Sequence, residues 1–125
     1  MDCQQQLYNL YFKAQDRFLY QYLERGFEPD VIYDYIHSGM MLSSLYETGA
    51  EHESPLLCEL YLRQVYFHLL DAIQDPKRSH TFRRVCLDSV YTPLMCLKRH
   101  YYQQEDGDAK FLPLQLQLQR IKAPY

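Results

Sequence analysis

Cys96 and His100 stand four residues apart, so a helix would set them on one face, with Cys86 and His80 or His68 as further ligands. Thiolate and imidazole are the donors zinc prefers, and four of them would close a tetrahedral site. The short Cys-x-x-Cys pairing of structural zinc modules is absent. Cys86 and Cys96 also fall at apolar helical positions, where a thiol packs as a small hydrophobe. The expectation is therefore no metal and no cofactor, with a helical metal-binding protein kept as an alternative. Cys58 and His68 offer a nucleophile and a base, but ten residues of one helix separate them by about 15 Å, too far for proton transfer. Asp30 and Asp34 share a helix face near an N-terminus, where negative charge is favoured in any case. No Gly-rich nucleophile turn, phosphate-cradling loop or His-Glu-x-x-His stretch is present. These residues point away from an enzyme.

Two basic clusters suit anions better than catalysis. Lys77, Arg78, His80, Arg83 and Arg84 gather at the start of a helix after a short turn, where arginines and free amides both attract phosphate. Lys98 and Arg99 precede His100, Tyr101 and Tyr102, mixing cations with rings on which bases stack. Arg78, Arg83, Arg84, Lys98 and Arg99 are accordingly the candidate anion-binding set, and a nucleic-acid-associated regulator is a second alternative. Against it, the helix preceding the first cluster is too long and apolar for a helix-turn-helix, and the chain carries a net charge of −3. That charge hides a split. Residues 1–75 hold 4 Lys and Arg against 12 Asp and Glu, whereas residues 76–125 hold 9 against 4. Packing of complementary halves is the simpler explanation, and an anionic partner for the basic half is the other.

The elements that must position these groups read as helices. The organising stretch is Ser54 to Pro76, where Ser54 caps, Pro55 fits the first turn and Asp75-Pro76 ends the ladder. Its apolar residues, from Leu57 to Ile73, cover more than one stripe, as in a central helix. Before it, Leu7, Tyr11, Ala14, Phe18 and Tyr22 form the inner face of a helix from about Cys3 to Arg25, stopped by Gly26. A second helix starts near Pro29 and runs to about Tyr46, with Gly39 inside it at a cost of about 1 kcal/mol against alanine. After Pro76, Ser79 caps a further helix that Pro93 must kink or divide, Thr92 then capping the second piece. The turn Glu105 to Asp108 ends the helical domain, residues 1–105. Beyond it Leu112, Leu114, Leu116 and Leu118 alternate with Pro113, Gln115 and Gln117, the period of a strand. Residues 106–125 are thus expected as an extended tail or short strand, packed in cis or on a partner, although Leu and Gln also form helices. The expected fold is all-α, a four- to five-helix antiparallel bundle around residues 55–74.

With 125 residues the chain suits one domain, and 47% apolar residues suffice for a core. No apolar run is long enough to span a bilayer and no leader-like segment opens the chain, so no membrane partner and a cytoplasmic location are expected. Four cysteines in helical, apolar surroundings read as reduced thiols. Tyrosine is the outlier, 13 against no tryptophan. Its apolar body and polar tip suit the border between a core and a partner. The functional expectation is a non-enzymatic protein-binding module, a small adaptor, chaperone-like or inhibitory protein. Tyr8, Tyr11, Tyr20, Tyr33, Tyr35 and Tyr46 are the candidate groove, and Leu114, Leu116 and Leu118 the candidate intermolecular strand. The partner would be another protein or a second copy, giving a homodimer.

Overall fold

The computed structural model describes residues 3–20 and 28–121. The described residues form six helices and no strand: α1 (Cys3–Leu19), α2 (Glu28–Ser44), α3 (Pro55–Gln74), α4 (His80–Ser89), α5 (Tyr91–Tyr101) and α6 (Gly107–Gln119). The class is all-α. The expected stop at Gly26, and Tyr22 of the inner face, lie outside the described residues.

The chain forms two compact units, residues 1–61 and residues 62–125, and α3 runs unbroken through the division. In the first unit α1 packs along α2. Leu7, Tyr11, Ala14 and Phe18 are buried on α1, at the spacing of four, three and four that places them on one face. Val31, Ile32, Tyr35, Ile36 and Leu42 are buried on α2. The turn after α2 reverses at Gly49, whose φ of +89° is a left-handed value that glycine adopts without penalty. The backbone amide of Gly49 donates to the Glu53 carboxylate, and Ser54 donates its amide to the Tyr46 carbonyl at 3.0 Å. Ser54 then caps α3, its hydroxyl accepting from the Leu57 amide at 3.3 Å.

Along α3 the buried residues Tyr61, Leu62, Val65, Tyr66, Leu69, Leu70, Ala72 and Ile73 form a band wider than one stripe. The first turns are different, because Leu56 and Leu60 are exposed. In the second unit Ser79 caps α4, accepting from the Phe82 amide at 3.0 Å, as its position after the Pro76 turn predicts. The division between α4 and α5 falls at Val90, and Thr92 is not the cap. Pro93 sits in the first turn of α5, where its missing N–H has no intrahelical carbonyl to serve, so the chain divides just ahead of the proline.

The tail corrects the sequence-based reading most clearly. Residues 107–119 are helical, and Leu114, Leu116 and Leu118 do not form an intermolecular strand. Gly107, Phe111, Leu114 and Leu118 repeat at four, three and four and are buried, while Leu112 and Leu116 are exposed. A leucine at every second residue satisfies both periods, and packing against α5 selects the helical one. Pro113 lies inside α6 on its exposed side, where water can reach the carbonyl it leaves unpartnered. Gly107 is required by closeness: a Cβ there would lie 2.8 Å from the Tyr101 carbonyl carbon, against the backbone that closes α5.

Candidate functional site

Tyr11 and Tyr35 are 0% exposed and Tyr46 is buried, so these three are core residues rather than the lining of an open groove. A buried phenol needs a partner for its hydroxyl, and the first unit supplies partners from side chains. Tyr11 and Tyr35 bring their oxygens to 3.4 Å, and Gln15 donates to both, at 3.4 and 3.2 Å. Gln4 donates to Tyr46 at 2.9 Å, and Tyr61 donates to Tyr8. Tyr61 is the hub. Its ring meets Tyr8 and Tyr11 edge-on, with centroids 5.8 and 5.4 Å away, and stacks on Tyr46 at 6.0 Å. Burial raises the Tyr11 hydroxyl well above the ordinary phenol range, with the Tyr35 oxygen adding to it. Burial likewise raises Tyr35, against the opposing hydrogen bonds of Gln15 and Tyr11. Tyr61 is raised by burial and then by the hydrogen bond to Tyr8. All three phenols therefore stay neutral near neutral pH. Of the remaining tyrosines proposed for partner contact, Tyr8 lies at the edge of the cluster, and Tyr20 and Tyr33 are exposed.

The flank of α1 that faces away from Tyr61 carries a different surface. Between α1 and α2 lies an open groove of about 310 Å³. Leu7, Ala14 and Ser38 lie at its floor, and the exposed Leu10 and Met41 stand at its mouth. Lys13 and Arg17 of α1 and Asp34 and His37 of α2 rim it, with Arg17 and Asp34 bridged at 3.4 Å. The Ser38 hydroxyl donates to the Tyr35 carbonyl at 3.1 Å, so it is held by its own helix. Gln6 and Asn9 continue the concave surface past Leu10 and Lys13. None of the tyrosines proposed from the sequence lines this groove. Its signal was present in the spacing of Leu10, Lys13 and Arg17 on one side of α1 and of Asp34, His37 and Met41 on α2.

Three of the candidate basic residues of the second unit are used within it. Arg83 donates from Nε to the Ile73 carbonyl at 2.8 Å, satisfying the last turn of α3. Arg78 lies 4.0 Å from the Asp75 carboxylate and over the Phe82 ring at 4.5 Å, its charge opposed by burial. Lys98 sits over the Tyr102 ring at 5.5 Å. Arg84 and Arg99 are exposed. The five are not presented as one bare cationic face, because three of them hold backbone, carboxylate or rings of their own unit.

Among the described residues no three His, Cys, Asp or Glu side chains converge as a metal site. Cys86 is buried, and that burial pushes its thiol up to about 12, against the pull of Arg78. Burial pushes the His68 ring below its usual value, with Asp71 opposing. All four cysteines are free thiols. No helix among the described residues is long and apolar enough to cross a membrane. Comparison with protein-family models, with curated proteins and with solved structures finds no match to this chain.

Proposed function

We propose that this chain is a non-enzymatic protein-binding module that works through the helical surface of its first unit, in a reducing compartment such as the cytoplasm. The observation that carries this reading is the α1/α2 groove. Its floor is mostly apolar, and two large apolar side chains, Leu10 and Met41, stand exposed at its mouth. Concave apolar surface with a few charged groups at the margin is the usual form of a recognition site. The hydroxyl of Ser38, on the groove floor, is turned back onto its own helix. Such a surface can capture and hold. An adaptor or inhibitory role follows from binding without chemistry.

Selection of short displayed peptides on the wild-type chain, with counter-selection on a Leu10→Asp, Met41→Asp variant, tests the reading. Both residues are exposed, so the variant should keep its helical circular dichroism. Peptides should be enriched on the wild type and lost on the variant. Equal retention by both would move recognition elsewhere and overturn the reading.

A further inference from the structure

We infer that the occupant of the α1/α2 groove is an acidic amphipathic helix of another protein. This rests on the reading of that groove as a docking surface, and it adds the shape and the charge of what docks.

The shape follows from the walls. A cleft between two packed helices presents ridges and grooves of side chains that a third helix fits by interdigitation. A helical ligand laid in such a cleft anchors through apolar residues one turn apart. The α1 wall runs from Leu7 to Arg17, about 15 Å at 1.5 Å per residue, which is roughly three turns. That length matches a series of leucine-sized anchors at i, i+4 and i+7, resting on Leu7, Ala14 and Met41.

The charge follows from where this half of the chain keeps its cations. Residues 1–61 contain 10 Asp and Glu but only three Lys and Arg. Two of those three, Lys13 and Arg17, rim the groove. A basic ligand would be drawn to the many carboxylates elsewhere, whereas an acidic one is steered to this margin. Arg17 does pair with Asp34 across the groove, but both side chains are at least half exposed. Such an exposed pair contributes little in water, so Arg17 can turn to an incoming carboxylate. Lys13, four residues earlier on the same face, makes no ion pair among the described residues. A ligand carboxylate set one turn from the next would meet Lys13 and Arg17 in succession.

Two labelled peptides with identical leucine spacing test this, one carrying glutamate and the other lysine at the remaining positions, each titrated with the full chain by fluorescence anisotropy. The glutamate peptide should bind at least about tenfold more tightly, with the gap shrinking at high salt. Lys13→Glu with Arg17→Glu should reverse the order, and Leu10→Asp should weaken both peptides. Equal binding of the two peptides, or an order unchanged by the charge reversal, would overturn the acidic-helix inference and leave the docking reading standing. If neither peptide binds while display selection still yields Leu10-dependent ligands, the inference again fails alone. If neither peptide binds and selection is also empty, both fail. A dimer of the chain that Leu10→Asp dissociates would assign the groove to a second copy, which also overturns the inference.

Discussion

Both units bury tyrosines, yet the partners of their hydroxyls differ. In the first unit Tyr8, Tyr11, Tyr35, Tyr46 and Tyr61 bond to one another or to Gln4 and Gln15, side chain to side chain. In the second, Tyr101 accepts from the Arg63 guanidinium at 3.1 Å, but Tyr66 donates to the Leu114 carbonyl at 2.6 Å and Arg83 to the Ile73 carbonyl, side chain to backbone. A side-chain network fixes which faces of the helices meet, because each hydroxyl must find its partner. A side chain on a carbonyl ties a segment of backbone down wherever that helix lies. The first unit thus has its helices set by an interior polar mesh that leaves the outer flank of α1 and α2 free to carry the groove. The second uses its polar groups to secure its own helices.

The largest test of that contrast is Tyr61→Ala. Removing a ring that touches three others should cost about 4 kcal/mol in denaturant unfolding, in the range of large aromatic truncations. Tyr91→Ala, at an exposed site, should cost under about 0.5 kcal/mol. Comparable losses would dissolve the distinction between mesh and surface. Next is Gly107→Ala, which drives a Cβ onto the Tyr101 backbone and should cost about 3 kcal/mol. A neutral Gly107→Ala would mean that α5 and α6 do not close as described.

Alkaline titration probes both units together. Tyr11, Tyr35 and Tyr61 are raised by burial, and Tyr66 is pushed up to about 12 by burial and by Tyr91. An unfolded phenol ionises near 10, so between about pH 10 and 12 the unfolded chain releases protons that the folded chain keeps. The stability from these groups is complete below pH 10 and falls as pH rises. Phenolate absorbance should show the buried tyrosines ionising only with loss of helical signal. One smooth step near pH 10 for all of them would contradict the burial pattern.

Smaller effects refine the picture. Tyr66→Phe should cost about 1.5 kcal/mol and Tyr35→Phe about half as much, since Gln15 keeps Tyr11 as an acceptor after the second change. The reverse order, read from urea midpoints, would mean that the mesh does not re-pair. Ser79→Ala should remove about 1 kcal/mol through its cap.

The element ends were the most legible part of the sequence. Ser54, Pro55 and Ser79 act locally, and each does in the structure what its type predicts. Pro93 marked a division but not its position, because proline tolerates the first turn that it occupies. The tail misled because Leu112, Leu114, Leu116 and Leu118 fit two periods at once, and the choice belonged to contacts with α5. Tyr11, Tyr35 and Tyr46 misled for another reason. A tyrosine count cannot tell a buried phenol that finds a side-chain partner from one turned to solvent. The groove was hidden because Lys13, Arg17 and Asp34 look like any wet helix face until the two helices are set side by side.

The most direct measurement is a titration of the isotope-labelled chain with the glutamate peptide, following backbone amide resonances. Shifts confined to residues 7–17 and 34–41 are what the account predicts. Shifts centred instead on the exposed face of α5 and α6, around Met95 and Leu112, would contradict it.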